Sequence, residues 1–343
     1  MGSFMQRTTG TLIIPVGVFA VVWALAAIDG ASLFSSGDSL LILARTTAVT
    51  MLTTMALAIN LNSGRFDFSL GAMALASSTI GAHIAITYGG GFPAMAAITL
   101  VAGALLGAFS GFLYTTLRIS PLVSSLGVTL LYEGFAFTIT GGANISFTQY
   151  PELVSFGKSL TAMIAVIIVA LFAVYMVFDR SRFGSDYRSL ITGQSAAVSA
   201  GVKEKGNAIR TYAVSGALMG MVGLIQASSK GLIEAGSINF STIGIMFTAF
   251  LPMFVGGYIG RFSNDKLGYL LGALSMSVIG LGYSALRMTS AEQSLITALL
   301  LVAFLIFLSN EERVTRWWRR MKAGKGAAPS EPTSLESVGA GAR

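Results

Sequence analysis

Five polar residues within ten positions, Asn60, Asn62, Arg65, Asp67 and Ser69, interrupt an otherwise apolar stretch of the chain. Polar groups between membrane-length apolar runs are tolerated where they face other protein groups or a water-filled path. Asn60, Asn62, Asp67 and Ser69, together with Ser125, Thr129, Glu133 and Asn144, are therefore the candidate lining of a translocation pathway. Neutral hydroxyls and amides of this kind would suit an uncharged polyhydroxylated solute, and each has a plainer use in joining helices by hydrogen bonds. Other chemistries are poorly represented. There is no HExxH, no GxSxG and no pair of helix-borne carboxylates, which argues against an intramembrane enzyme. The nearest approach to a phosphate-binding loop is Gly157-Lys158-Ser159, where the glycine needed five positions earlier is Glu152. An ion relay needs several ionisable groups inside the spans, yet only Glu133 lies near the middle of one, with Asp67 and Asp179 at span ends. Glu133 is accordingly expected to be a packing or pathway residue, not an ion-coupling base. The one histidine, His83, reads as a packed or hydrogen-bonded helix residue rather than a metal ligand, and neither a metal nor a cofactor is expected on this chain.

The elements that must position these groups are membrane helices. Of 343 residues, 54% are hydrophobic and only 11% are charged, far too apolar for a water-soluble core. Apolar runs are long enough for helices to cross the hydrocarbon core, and they lack the two-residue alternation of a membrane β-barrel. Ten spans follow: residues 11–28, 47–61, 69–88, 93–117, 122–140, 159–178, 207–228, 243–259, 266–286 and 292–309. The fold class is all-α and polytopic, with residues 1–310 as one transmembrane domain. The first run exceeds a signal-peptide core and reads as an uncleaved anchor, despite Ala24-Leu25-Ala26 at its end. Gly103, Gly107 and Gly111 recur every fourth residue and would let a neighbouring helix approach closely. Arg45 is expected at the boundary between an outer segment and the second span, and residues 141–158 form a polar outer loop. Beyond residue 310, a Trp317-Trp318 pair followed by basic residues reads as an inner headgroup anchor, and the tail from residue 323 reads as disordered. Without cysteine the chain has neither disulfides nor thiolate chemistry.

Alternating the loops between two faces puts 18 of the 22 lysines and arginines on the face that holds both termini, leaving Arg45, Lys158, Lys230 and Arg287 on the other. The positive-inside rule makes the richer face cytoplasmic. The longest polar segment, residues 179–210, lies on that face with six basic residues against three acidic ones. Glycines at 184, 193 and 201 divide it into one or two short surface helices, a surface for a soluble partner.

The run Leu61-Asn62-Ser63-Gly64-Arg65-Phe66-Asp67-Phe68-Ser69-Leu70-Gly71-Ala72 resembles the Gly-Gly-Ile-Asp-Leu-Ser-Val-Gly signature of ribose-type ABC transporter permeases, a family that includes permeases for simple sugars and autoinducer-2. Ile119-Ser120-Pro121 through Gly127 is similar to that family's Ile-Pro-x-x-x-x-Thr-Leu-Gly, and Thr140 through Ile145 to the close of its fifth span. The central segment, with Phe183-Gly184, Tyr187, Thr192-Gly193, Ala197 and Gly201-Val202, resembles its cytoplasmic coupling segment. The resemblance covers about residues 40–310. It implies a type II-like importer architecture in a bacterial inner membrane, the segment 179–207 as coupling loop, and Arg182, Phe183, Gly184, Tyr187, Gly193, Ala197 and Gly201 as the residues that dock on an ATPase. It also implies a second permease subunit, identical or related, two ATP-binding subunits or one tandem ATPase carrying ATP and Mg, and a periplasmic solute-binding protein. No nucleic acid partner is implied. The alternative reading is a self-contained secondary transporter or channel.

Three features depart from the family pattern. Glu133-Gly134 replaces a basic residue before glycine, the acidic positions before the eighth span are Asn239 and Ser241, and the glycine-rich turn before the ninth span is reduced to residues 255–262. Single cysteines at Ser185 and Thr148 in this cysteine-free chain are expected to react with an impermeant thiol reagent from opposite sides of the membrane. Labelling of both from outside intact cells would contradict the topology.

Overall fold

A computed structural model describes residues 2–34, 37–117 and 119–311, with side chains from residue 7 onward. Arg118, the tryptophan pair and the tail fall outside the described residues. The helices are α1 (Gly2–Ile28), α2 (Ser39–Asn62), α3 (Leu70–Tyr88), α4 (Gly91–Leu117) and α5 (Pro121–Thr140). A short strand β1 (Ile145–Ser146), α6 (Pro151–Ser155) and a single 3₁₀ turn lead to α7 (Leu160–Asp179). Two short helices, α8 (Arg182–Thr192) and α9 (Gln194–Ser199), precede α10 (Glu204–Lys230) and strand β2 (Leu232–Ile233). The chain ends in α11 (Ile243–Thr248), α12 (Phe250–Gly260), α13 (Asp265–Ala285) and α14 (Ser290–Ser309). Ten segments among the described residues are long and apolar enough to span a membrane, α11 and α12 together making the eighth. Among the described residues, those up to Thr297 form one compact unit and those from Ala298 onward a second, so the boundary falls inside α14.

Within the first unit, α10 packs against α2, α3 and α4. Glycine makes this possible. An added Cβ at Gly103 would meet the Gly216 carbonyl oxygen at 2.4 Å, one at Gly107 the Tyr212 carbonyl at 2.1 Å, and one at Gly216 the Gly103 carbonyl at 2.2 Å. Backbones this close gain dispersion contact along their whole length, which replaces the hydrophobic driving force that lipid cannot supply. Methionines 51, 55, 73, 219, 246 and 253 fill the irregular gaps of the core.

Four sequence expectations are revised. Helix α2 begins at Ser39, so Arg45 lies within the first third of a helix rather than at a loop boundary; a long basic side chain reaches outward from such a position. His83 sits on α3 but is exposed, not packed. Residues 141–158, read from the sequence as a polar loop, also carry secondary structure: β1 pairs antiparallel with β2, Ile145 opposite Ile233 and Ser146 opposite Leu232, and α6 follows. Residues 255–260 are helical, and their glycines serve the α12–α13 crossing, where a Cβ on Gly268 would meet the Gly256 carbonyl at 2.2 Å.

Gly107→Leu should therefore destabilise the protein by about 3 kcal/mol or more, since rigid backbone blocks the new side chain. Gly127→Ala on α5, where nothing lies within 4 Å, should be neutral or stabilising. Thermal unfolding in detergent checks both.

Candidate translocation and coupling site

The loop between β2 and α11 has no regular backbone pairing of its own, yet part of it is buried. Glu133, fully buried on α5, supplies the missing acceptors. Its Oε2 accepts the backbone N–H groups of Asn239 (3.1 Å) and Phe240 (2.9 Å); its Oε1 accepts the Thr242 N–H (3.2 Å) and hydroxyl (2.7 Å). Phe240 is held at φ 59°, a left-handed conformation that a bulky residue adopts only when its surroundings impose it. Asn239 Oδ1 accepts the Ser241 N–H at 3.1 Å, closing the turn. The departures at positions 133, 239 and 241 are thus one arrangement, with the carboxylate on α5 and neutral partners on the loop. Gly71 completes it: a Cβ there would lie 1.9 Å from the Thr242 carbonyl oxygen.

The signature turn is organised in the same way. Helix α2 ends with Gly64 at φ 74°, and the N–H groups of Gly64 and Arg65 return to the Leu61 and Asn60 carbonyls. Asp67 Oδ1 accepts from the Ser69 N–H (2.9 Å) and hydroxyl (2.6 Å), while Oδ2 accepts from Asn60 Nδ2 (3.2 Å). Asn60 Oδ1 in turn accepts from Ser215 on α10 at 3.0 Å. Burial pushes the Asp67 carboxyl up to about 6, against the Ser69 bonds that favour its charged form.

Two cavities adjoin the Glu133-held loop. One of about 590 Å³ is lined by α2, α10, the start of α11 and α13, its polar groups including Thr46, Thr50, Thr53, Gln226, Ser241 and Ser277. The other, about 240 Å³, is bordered by Ser78, Lys230, Glu234 and Thr242, and shares Gln226, Ser241 and Ile245 with the first. None of the eight candidate pathway residues lines either one. Ser125 and Thr129 bond carbonyls of their own helix, at Leu122 and Ser125. Asn62 Nδ2 donates to the Tyr269 hydroxyl at 3.3 Å, and Asn144 Oδ1 accepts the Gly236 N–H at 3.2 Å. Gln226 escaped the sequence reading, although a lone amide within an apolar span is the kind of signal that marks such a position.

At the opposite end, α8 and α9 are tied to the helical core. Tyr187 is buried and its hydroxyl donates to the Ile59 carbonyl at 2.7 Å; burial pushes its phenol pKa up, keeping it a donor. Gly184 lies so close to the end of α7 that a Cβ would meet the Phe178 carbonyl oxygen at 2.1 Å. Phe178, Phe183 and Tyr187 form an aromatic cluster. Asp179 pairs with Lys266 on α13 (2.5 Å) and Arg188 on α8 (3.5 Å). Phe183, Gly184 and Tyr187 therefore support the loop from inside, and Ala197 is buried. Arg182, Ile191 and Val198 are exposed, and Gly193 has open space around it, its nearest neighbour being the Ala196 Cβ at 3.9 Å. Gly201, at φ 93°, makes the turn out of α9.

Residues 39–308 match the family model described as branched-chain amino acid transport system / permease component. Among individual proteins, the chain is 27% identical over 285 residues to the autoinducer 2 import system permease protein LsrC of Yersinia pseudotuberculosis, covering 80% of this chain and 75% of that one. The LsrC proteins of Enterobacter sp. (26% over 315 residues, 88% and 86% covered) and Escherichia coli (26% over 317 residues, 90% and 86%) are similarly related. No solved structure matches the chain.

Glu133→Gln would turn an amide N–H₂ toward groups that are themselves donors. We expect it to lower stability by about 1–3 kcal/mol, seen as a lower Tm, while leaving the pH dependence of uptake unchanged. Abolished uptake together with loss of a measurable proton dependence would instead make Glu133 an ion-coupling base.

Proposed function

The chain belongs to the branched-chain amino acid transport system / permease component family, and from that premise we propose that it is the membrane-spanning subunit of an ATP-binding cassette importer for a small neutral polar solute. A sugar, a polyol or an autoinducer-2-like molecule is the class favoured, because the larger cavity is lined by Gln226, Ser241 and threonine hydroxyls with no charged side chain, and the smaller one adds only the oppositely charged Lys230 and Glu234. The LsrC relatives carry an autoinducer 2 import name, which agrees with a solute of this kind. The solute arrives from a periplasmic binding protein and energy comes from ATP hydrolysed on separate subunits. A second permease chain completes the pathway, and the coupling loop and both termini face the cytoplasm of a bacterial inner membrane.

The observation that carries this reading is the construction of α8 and α9. They present exposed Arg182, Ile191 and Val198 outward while Tyr187, Gly184 and Asp179 fasten them to α2, α7 and α13. A tether needs no such fastening; a lever that transmits a partner's motion does. Glycine at 193 leaves room for the partner's surface without any internal packing demand. Gly193→Trp should therefore leave insertion and yield near normal but abolish ATP-dependent uptake and weaken ATPase co-purification. Gly184→Trp should fail earlier, at folding. Undiminished transport by Gly193→Trp, with the protein purifying free of any nucleotide-hydrolysing subunit, would defeat the importer reading.

A further inference from the structure

Arg65 is a cation in an unusual place. Only 6% of it is exposed, its Nε is buried without a hydrogen-bond partner, and no carboxylate of the described residues forms an ion pair with it. The nearest acidic residue in sequence, Asp67, is already engaged by Asn60 and Ser69. A guanidinium withdrawn from water without a countercharge is strongly unfavourable, and its five donors call for acceptors.

Arg65 lines a pocket of about 150 Å³ enclosed by the signature turn, α8, α9 and the start of α10. Tyr114, Gln194 and Asn207 add polar groups, and Leu190 and Ile191 close its apolar side. That volume is enough for one carboxylate- or phosphate-sized group. Glu204 also borders the pocket, but its Oε1 is held by Gln194 Nε2 at 2.8 Å. The segment 179–210, which supplies α8, α9 and the start of α10, carries six basic residues against three acidic ones, a net positive charge that favours anions near it.

We propose that the Arg65 pocket is an oxyanion-binding site at the base of the coupling loop, taking a single carboxylate or phosphate group in the guanidinium fork. A planar fork matches both groups bidentately. Two sources present this chemistry: free inorganic phosphate, and an acidic side chain of the ATP-hydrolysing partner inserted beside α8. The second source rests on the importer reading given above; the first does not.

Two measurements separate them. Purified full-length chain is titrated with inorganic phosphate against chloride at equal ionic strength, reading Tm. The co-expressed complex is then washed at increasing salt, reading retention of the ATPase subunit. If free phosphate is the ligand, it stabilises the wild type saturably, and its apparent Kd weakens about tenfold or more in Arg65→Gln. Glu204→Gln, which leaves Arg65 intact, should tighten binding several-fold by removing the repelling carboxylate. If a partner carboxylate is the ligand, phosphate has little effect, but Arg65→Gln loses the ATPase subunit at a salt concentration the wild type withstands. Arg65→Lys, which keeps the charge without the fork, should fall between wild type and Arg65→Gln in whichever measurement responds. Phosphate stabilisation equal in Arg65→Gln, or no response to phosphate together with unaltered retention, would overturn the site. The phosphate arm stands or falls independently of whether any ATPase partner exists.

Discussion

A buried carboxylate surrounded by donors is the interaction on which the cavity-bearing half of this protein depends. The loop from β2 into α11 carries backbone N–H groups that no helix or strand satisfies, and Glu133 takes three of them and a hydroxyl besides. Each such group left unpaired in a low-dielectric interior would cost roughly 1–3 kcal/mol. Because Ser241, Thr242 and Ile245 emerge from that loop to border the cavities, the carboxylate sets cavity shape without lining either one. Gly71 adds the steric half of the arrangement by letting the Thr242 carbonyl lie against α3.

The second dependence is at the other end. The signature turn, held by Asp67, places Asn60 against Ser215 of α10, and at the preceding residue the Ile59 carbonyl receives the hydroxyl of Tyr187 of α8. Helix α2 thus borders the larger cavity from Ile42 to Thr53 and meets α8 with its last turn. A displacement of α8 would be felt along a stiff, continuous helix, which physically connects the surface of α8 to the larger cavity. Close glycine-mediated contact between α4 and α10 keeps the frame around it rigid.

Much of this was legible in the sequence. The number of spans followed from length and hydropathy, which is where chain chemistry is least ambiguous, and the signature turn was singled out by its density of polar residues. Specific partners were harder. Asn60 and Glu133 stood out as polar groups at depth, but whether they face a pathway or other protein groups depends on residues more than a hundred positions away, Ser215 and Thr242. Gln226 was missed for the complementary reason: it is one amide among many apolar neighbours, and only the approach of α13 and the α11 loop gives it a cavity to face. In the coupling loop the glycines were visible, but the division of labour between Gly184, pressed on Phe178, and Gly193, standing free, belongs to tertiary packing.

Energy source is what most sharply separates an importer subunit from a self-contained carrier. The chain would be reconstituted in liposomes with its ATP-hydrolysing subunits, with solute-loaded binding protein on one face, ATP on the other, and ionophores present to collapse every ion gradient. Uptake that persists under those conditions and stops without ATP is the expected result. Uptake by the chain alone, driven by an ion gradient and indifferent to ATP, would contradict it.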